Sequence, residues 1–138
     1  MITAVSPSVG INRWTGGTID GFDHVIQSLG DIYSTPFGMR IMREWYGSNV
    51  PALLGRNIVP REIVSYFVEL LAPVEQWEPR FRTKQITPLS ASRTGHFSFS
   101  MEGEYRPRAC FGDFTVEGAR KIYGNLVGDG RTILGRSA

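Results

Sequence analysis

One cysteine, Cys110, stands alone in 138 residues, so no intramolecular disulfide can form and no cysteine-based metal site can be built. Beside Phe111, it reads as a small buried apolar residue. Histidine is nearly as scarce: His24 and His96 lie far apart in sequence and outside any ligand-spaced cluster, so neither is expected to hold a metal or relay protons. No window approaches 18 consecutive apolar residues, which argues against a membrane span. Met1–Gly10 lacks the charged start and continuous apolar stretch of a signal peptide. A G-x-x-x-x-G-K phosphate cradle and a G-x-S-x-G elbow are both missing, and Cys110 has no nucleophile signature around it. Charge of one sign is missing too, since 15 basic residues face 13 acidic ones for a net +2. That balance, with no run of Lys and Arg, excludes the basic stripe of a dedicated nucleic-acid binder. The expectation is a soluble protein assembled in a reducing cytoplasm, with no cofactor, no nucleic acid and no membrane as partner.

A 41% hydrophobic and 20% charged composition describes an ordinary globular chain of one domain. Sixteen glycines and eight prolines point to short elements joined by many turns. Residues 1–19 read as an amino-terminal arm. Asp20 is placed to cap a helix with its side chain, and Phe22, Val25, Ile26, Leu29 and Ile32 follow as one apolar stripe. Pro36 disfavours helical geometry just before it, so that helix should end near Tyr33. Gly38 to Arg43 alternates like a short strand, with Met39 and Ile41 on one face, and Pro51 to Leu54 suggests a brief helical turn.

Pro60 suits the first turn of a longer helix. Ile63, Phe67, Leu70, Val74 and Trp77 recur at spacings of four, three, four and three, a heptad seam of the kind that packs helix on helix. Val64 and Leu71 widen the stripe, as expected if the helix faces both its own domain and a neighbour. Pro73 interrupts the hydrogen-bond ladder and predicts a kink near Leu70. Phe81–Leu89 and Thr94–Arg106 then read as two strands joined by a loop at Ser90–Arg93. In the second, Phe97, Phe99, Met101 and Tyr105 alternate with Ser98, Ser100, Glu102 and Glu104, giving one buried and one wet face. The outer edge of such a hairpin carries unpaired backbone groups, open to another chain. In the glycine-rich segment 111–138, Phe114, Val116, Ile122 and Leu126 are the candidate anchors. The whole is an α+β domain with two main helices and a long antiparallel hairpin in a small sheet: an arm over 1–19, a core over 20–110 and an extension over 111–138.

A glycan-cleaving enzyme needs two cooperating carboxyl groups. Glu62 and Glu69 share a helix face and Glu102 and Glu104 share a strand face, with Glu75 and Glu78 further along the helix. Neither pair comes with polar cleft segments, so surface charge is the better reading. The most distinctive short segment is Trp77-Glu78-Pro79-Arg80, where Pro79 must end the helix. An acid and a base straddling a rigid proline can close a local ion pair, or exchange partners reciprocally with other helix ends.

Gly10-Ile11-Asn12-Arg13-Trp14-Thr15-Gly16-Gly17 resembles the amino-terminal motif of the baseplate assembly protein W family of temperate contractile-tailed phages. So does the stretch from His24 through Leu54, with Ser34-Thr35-Pro36-Phe37-Gly38-Met39-Arg40, Met42-Arg43 and Tyr46-Gly47-Ser48. Trp77-Glu78-Pro79-Arg80 completes a likeness over roughly residues 10–105. The resemblance implies a non-enzymatic wedge component of a virion baseplate, with a counterpart in type VI secretion baseplates and six copies per baseplate. It implies that Glu78, Pro79 and Arg80 help lock the helix into a bundle with two larger wedge subunits, with Ile63, Phe67, Leu70, Val74 and Trp77 as the seam. It also implies that the hairpin, supported by Phe97, Phe99, Met101 and Tyr105, presents an edge to the tail sheath protein for strand addition. Tail tube or hub proteins are further candidate partners. The family has carried a lysozyme-like label, so a peptidoglycan-cleaving tail enzyme is the alternative, and a generic adaptor module the third reading.

Overall fold

A computed structural model describes residues 8–53, 56, 59–92, 95–127 and 131–136. The chain begins with a two-stranded antiparallel ribbon, β1 (Val9–Ile11) and β2 (Thr18–Asp20), in which Gly10 faces Ile19. Helix α1 (Gly21–Ser34) starts at Asp20. Asp20 has the extended backbone of an N-cap but makes no side-chain capping bond, contrary to expectation. Phe22, Val25, Leu29, Ile32 and Tyr33 are buried, so the stripe read at helical spacing is the core face of α1, with Ile26 packed at its margin. A short helix α2 (Val50–Leu53) follows; Leu54 lies outside the described residues. Pro60–Glu62 forms a 3-10 turn that leads into α3 (Ile63–Trp77), with Pro73 inside it. Among the described residues no helix is long and apolar enough to cross a membrane.

Four antiparallel strands in the order β3-β4-β5-β6 make the sheet: β3 (Phe81–Ala91), β4 (Phe97–Tyr105), β5 (Gly118–Val127) and β6 (Arg131–Arg136). Thr94, read as the start of the second strand, and Arg93, in its loop, lie outside the described residues. The α+β reading holds, and the sheet is larger than a hairpin. Strands β5 and β6, within the segment set apart as an extension, continue the sheet from β4 in unbroken register. Ile122 and Leu126 are buried in the same core as Leu29, Leu70 and Phe99, so the core runs on past residue 110. Phe114 and Val116, by contrast, are exposed. Gly124 explains part of the glycine content here: a Cβ at that position would come 2.3 Å from the Phe99 ring, which covers it from β4. Only glycine allows that cross-strand contact.

Helix α3 lies against β3 and α1 against β6, and the two helices touch. Tyr33, fully buried on α1, donates its hydroxyl to the Leu70 carbonyl of α3 at 2.7 Å. Phe22 meets Tyr105 edge-on at 5.3 Å and Phe81 at 6.0 Å, closing the other end of the core.

Two local readings are corrected. Gly38 to Arg43 is a loop of turns, because Gly38 and Met42 adopt left-handed φ values of 83° and 67° that break an extended run. Cys110 is exposed; in the 3-10 turn Ala109–Phe111 it is Ala109 that enters the core.

Candidate functional site

The residues singled out in the sequence divide into an inner and an outer set. Leu70 and Val74 are fully buried in the chain's own core, and Phe67 and Trp77 pack half-buried against it, as expected of the inner face of an amphipathic helix. Ile63 is half-buried near the start of α3. Phe97, Phe99, Met101 and Tyr105 are all buried beneath the helices. The helix surface turned to solvent is a different stripe: Val64 (67% exposed), Val68, Ala72 and half-buried Leu71, continued by Glu75. These positions recur at three and four residues, one face of α3. Pattern alone did not separate the two faces, because α3 is apolar on both.

Glu78-Pro79-Arg80 turns inward. Glu78 is 2% and Arg80 7% exposed, while Pro79 faces solvent. Arg80 donates from Nε to Glu78 Oε1 at 2.6 Å and from Nη2 to Oε2 at 2.8 Å, a bidentate fork that satisfies both carboxylate oxygens. Burial disfavours the guanidinium charge, but the Glu78 carboxylate outweighs it and holds Arg80 more firmly protonated than usual. The remaining donor, Nη1, reaches the Ser8 hydroxyl and His24 Nδ1, the latter at 3.1 Å. A guanidinium only donates, so Nδ1 is an acceptor and the ring proton lies on Nε2. Local closure is thus the geometry adopted by this chain: the end of α3 is clamped to α1 and to the amino-terminal segment. No sequence pattern signalled that His24 and Ser8 complete the clamp.

The carboxylates on the sheet are also tied down. Glu104 takes Arg106 at 2.7 Å and Lys84 at 3.1 Å, and those bonds, Arg106 first, hold its carboxyl below the usual glutamate range. Glu102 pairs with Lys121 of β5 at 2.5 Å. A general acid needs a carboxyl raised toward neutrality; the environment of Glu104 pushes the other way. Among the described residues no group of three or more His, Cys, Asp or Glu side chains converges as a metal site would require.

The hairpin edge is less regular than its alternation suggests. As the outer strand of the sheet, β3 breaks register with β4 at Thr83/Gln85 and again at Pro88/Ser90. Gln85–Pro88 is the longest unbroken stretch.

One sealed ion pair at the end of α3, and apolar side chains turned outward along it, mark this small α+β domain. Baseplate protein W of Escherichia phage P2 is 32% identical to this chain over 97 residues, which span 70% of this chain and 84% of the phage protein. The chain belongs to the baseplate protein W family. It also superposes on a component of the post-contraction baseplate of pyocin R2, solved by electron cryomicroscopy, with a TM-score of 0.62 and 26% identity, covering 71% of this chain and 98% of that one. A protein of Geobacter sulfurreducens described as a tail lysozyme shares the fold, with a TM-score of 0.53 at 20% identity over 87% of this chain and 95% of its own. No family model matches the sequence.

Proposed function

We propose that this chain is a structural, non-enzymatic wedge component of a contractile phage-tail baseplate. In this reading it joins larger wedge subunits through a helical bundle and offers a strand edge to the first ring of sheath subunits. The observation that carries it is the apolar outward face of α3, Val64, Val68, Leu71 and Ala72, left free once Phe67, Leu70, Val74 and Trp77 of the seam serve the chain's own core. A heptad-spaced face of this kind is what a partner helix takes up. Glu78-Pro79-Arg80 acts here as a rigid end-stop that fixes where α3 finishes, and Pro79 is the part of it a partner can touch. On the sheet, Gln85–Pro88 of β3 is the segment available for strand addition, with Phe97, Phe99, Met101 and Tyr105 bracing it from β4 beneath the helices. Membership of the baseplate protein W family supports the setting, the virion tail baseplate with other baseplate proteins as neighbours, six copies to a ring. The lysozyme-like alternative rests on a likeness of fold alone, and the pairing of Glu102 and Glu104 with basic side chains speaks against it.

The test is electron microscopy of particles from a phage lacking this gene, complemented by the intact chain or by Val68→Glu. Val68 is exposed, so the variant should fold, yet it places a charge in the middle of the face. Absent tails or unsheathed tubes with the variant support the bundle contact. Normal sheathed tails with the variant reject it, and normal tails without any complementation reject the baseplate role itself.

A further inference from the structure

A second set of exposed apolar side chains lies outside α3. The loop between α1 and α2 turns Met39, Ile41, Met42 and Trp45 to solvent, Ile41 at 92% and Met42 at 86% exposed. Trp14, in the turn of the β1–β2 ribbon, is 86% exposed. One carboxylate draws these two protrusions together. Asp31 of α1 accepts from Arg13, next to Trp14, at 2.8 Å, from Arg40 of the loop, and from the Tyr46 hydroxyl at 3.1 Å.

The loop is built rather than slack. Gly38 N–H donates to the Glu44 carbonyl at 2.8 Å, Arg43 N–H to Arg40 at 3.1 Å and Tyr46 N–H to Arg43 at 3.0 Å. The Tyr46 ring carries the Arg40 guanidinium at 4.1 Å and leans on Trp77 at 5.2 Å, fixing the loop to the end of α3. Large side chains held out of the core on a fixed scaffold leave apolar area in water, which a partner's contact would remove. Rigid presentation also lowers the ordering cost of binding. Clustered exposed Trp, Met and Ile beside arginine is the make-up of a protein interface centre.

The charge on the rim says what kind of partner fits. Among the described residues of the ribbon turn, the loop and the facing end of α1, three arginines, Arg13, Arg40 and Arg43, stand with two carboxylates, Asp31 and Glu44. The single charge of Asp31 is shared by two of them, and among the described residues Arg43 makes no ion pair. The rim is therefore basic by one charge, which favours a partner segment that carries carboxylates.

We propose that Trp14, Met39, Ile41, Met42 and Trp45 form a docking platform for an apolar segment of another protein flanked by carboxylates, with Arg43 gripping its rim. This goes beyond the α3 contact and does not depend on it. The experiment is photocrosslinking in host cells during phage growth, with a benzophenone amino acid replacing Ile41, a side chain too exposed for the change to disturb the core. The expected product is a link to a peptide of a different protein, apolar and bearing Asp or Glu within a few residues. Its yield should fall roughly tenfold or more with Arg43→Glu and hold with Arg43→Lys. No product, a product with a second copy of this chain, or a yield indifferent to Arg43→Glu would overturn the proposal. A parallel arm floats the purified full chain with vesicles of phosphatidylcholine and phosphatidylglycerol in three-to-one ratio. Co-flotation lost on replacing Ile41 and Trp45 with serine would assign the platform to a membrane surface instead.

Discussion

Replacing Arg80 with methionine isolates the clamp at the end of α3, because methionine keeps much of the apolar stem and removes only the charge and the donors. Glu78 would then lie 2% exposed with both oxygens stripped of partners now at 2.6 and 2.8 Å. Breaking a buried pair by removing one member costs about 3–5 kcal/mol, since the other charge stays behind uncompensated. For a chain of this size each kcal/mol lowers the melting temperature by roughly 3–4 °C, so a drop of about 10–20 °C is expected. Urea denaturation followed by circular dichroism gives the free-energy loss, and a thermal melt gives the drop in midpoint. Glu78→Leu combined with Arg80→Met should recover most of the loss, because an apolar pair of similar volume demands no compensation. The single variant's penalty should also change little between low and high salt, since a sealed pair is weakly screened. A cost below about 1 kcal/mol for Arg80→Met, the range of exposed pairs, would refute the clamp. Because these substitutions act on the fold, assembly defects they cause carry no information about partner contact; Val68→Glu is the variant that separates the two.

Gly124→Val should destabilise the chain by about 1–3 kcal/mol through overpacking against the Phe99 ring, read by thermal melting, while the same change at Gly118, where a Cβ meets nothing within 4 Å, should be much milder. Tyr33→Phe removes the 2.7 Å bond to the Leu70 carbonyl and should cost about 1 kcal/mol in denaturant titration with little change in slope. Asp31 is partly buried, which opposes its ionisation, yet Arg13, Arg40 and Tyr46 outweigh this and hold its carboxyl below the ordinary aspartate range. Its folded value lies below its unfolded one, so it contributes stability at neutral pH that fades as pH falls below about 4. Asp31→Asn should therefore be less stable than the parent at pH 7 and differ from it least near pH 2, as a pH series of melts will show.

Much of the inner architecture could be read from spacing. The α1 stripe and the alternation of Phe97, Phe99 and Met101 mark buried faces because each period matches its element. Other features depended on contacts between distant segments. Met39 and Ile41 alternate with Arg40 and Met42 as a strand does, but left-handed backbone at Gly38 and Met42 overrides that period, and for methionine nothing in the residue type announces it. The glycines of β5 read as punctuation, although Gly124 is where Phe99 from the neighbouring strand packs. Glu78 and Arg80 were legible as a pair across Pro79. Their burial was not, because it depends on Ser8 and His24, at least 54 residues back along the chain. On α3, five apolar residues at heptad spacing gave no direction; only the sheet beneath Leu70 and Val74 decides which face is inward.

The broken register of β3 bears on how long the free protein survives before it is used. A lone subunit with an exposed strand edge is a seed for runaway polymerisation, since identical edges can zip together copy upon copy. Two such edges meeting here align no more than Gln85–Pro88 without crossing an irregularity, and Pro88 brings no N–H to the ladder. So short a match between like chains is too weak to propagate, while a partner shaped to the interruption loses nothing by it. If β3 is the edge offered to an unlike chain, as proposed, its irregularities also act as a storage device, disfavouring pairing between like subunits before that chain arrives.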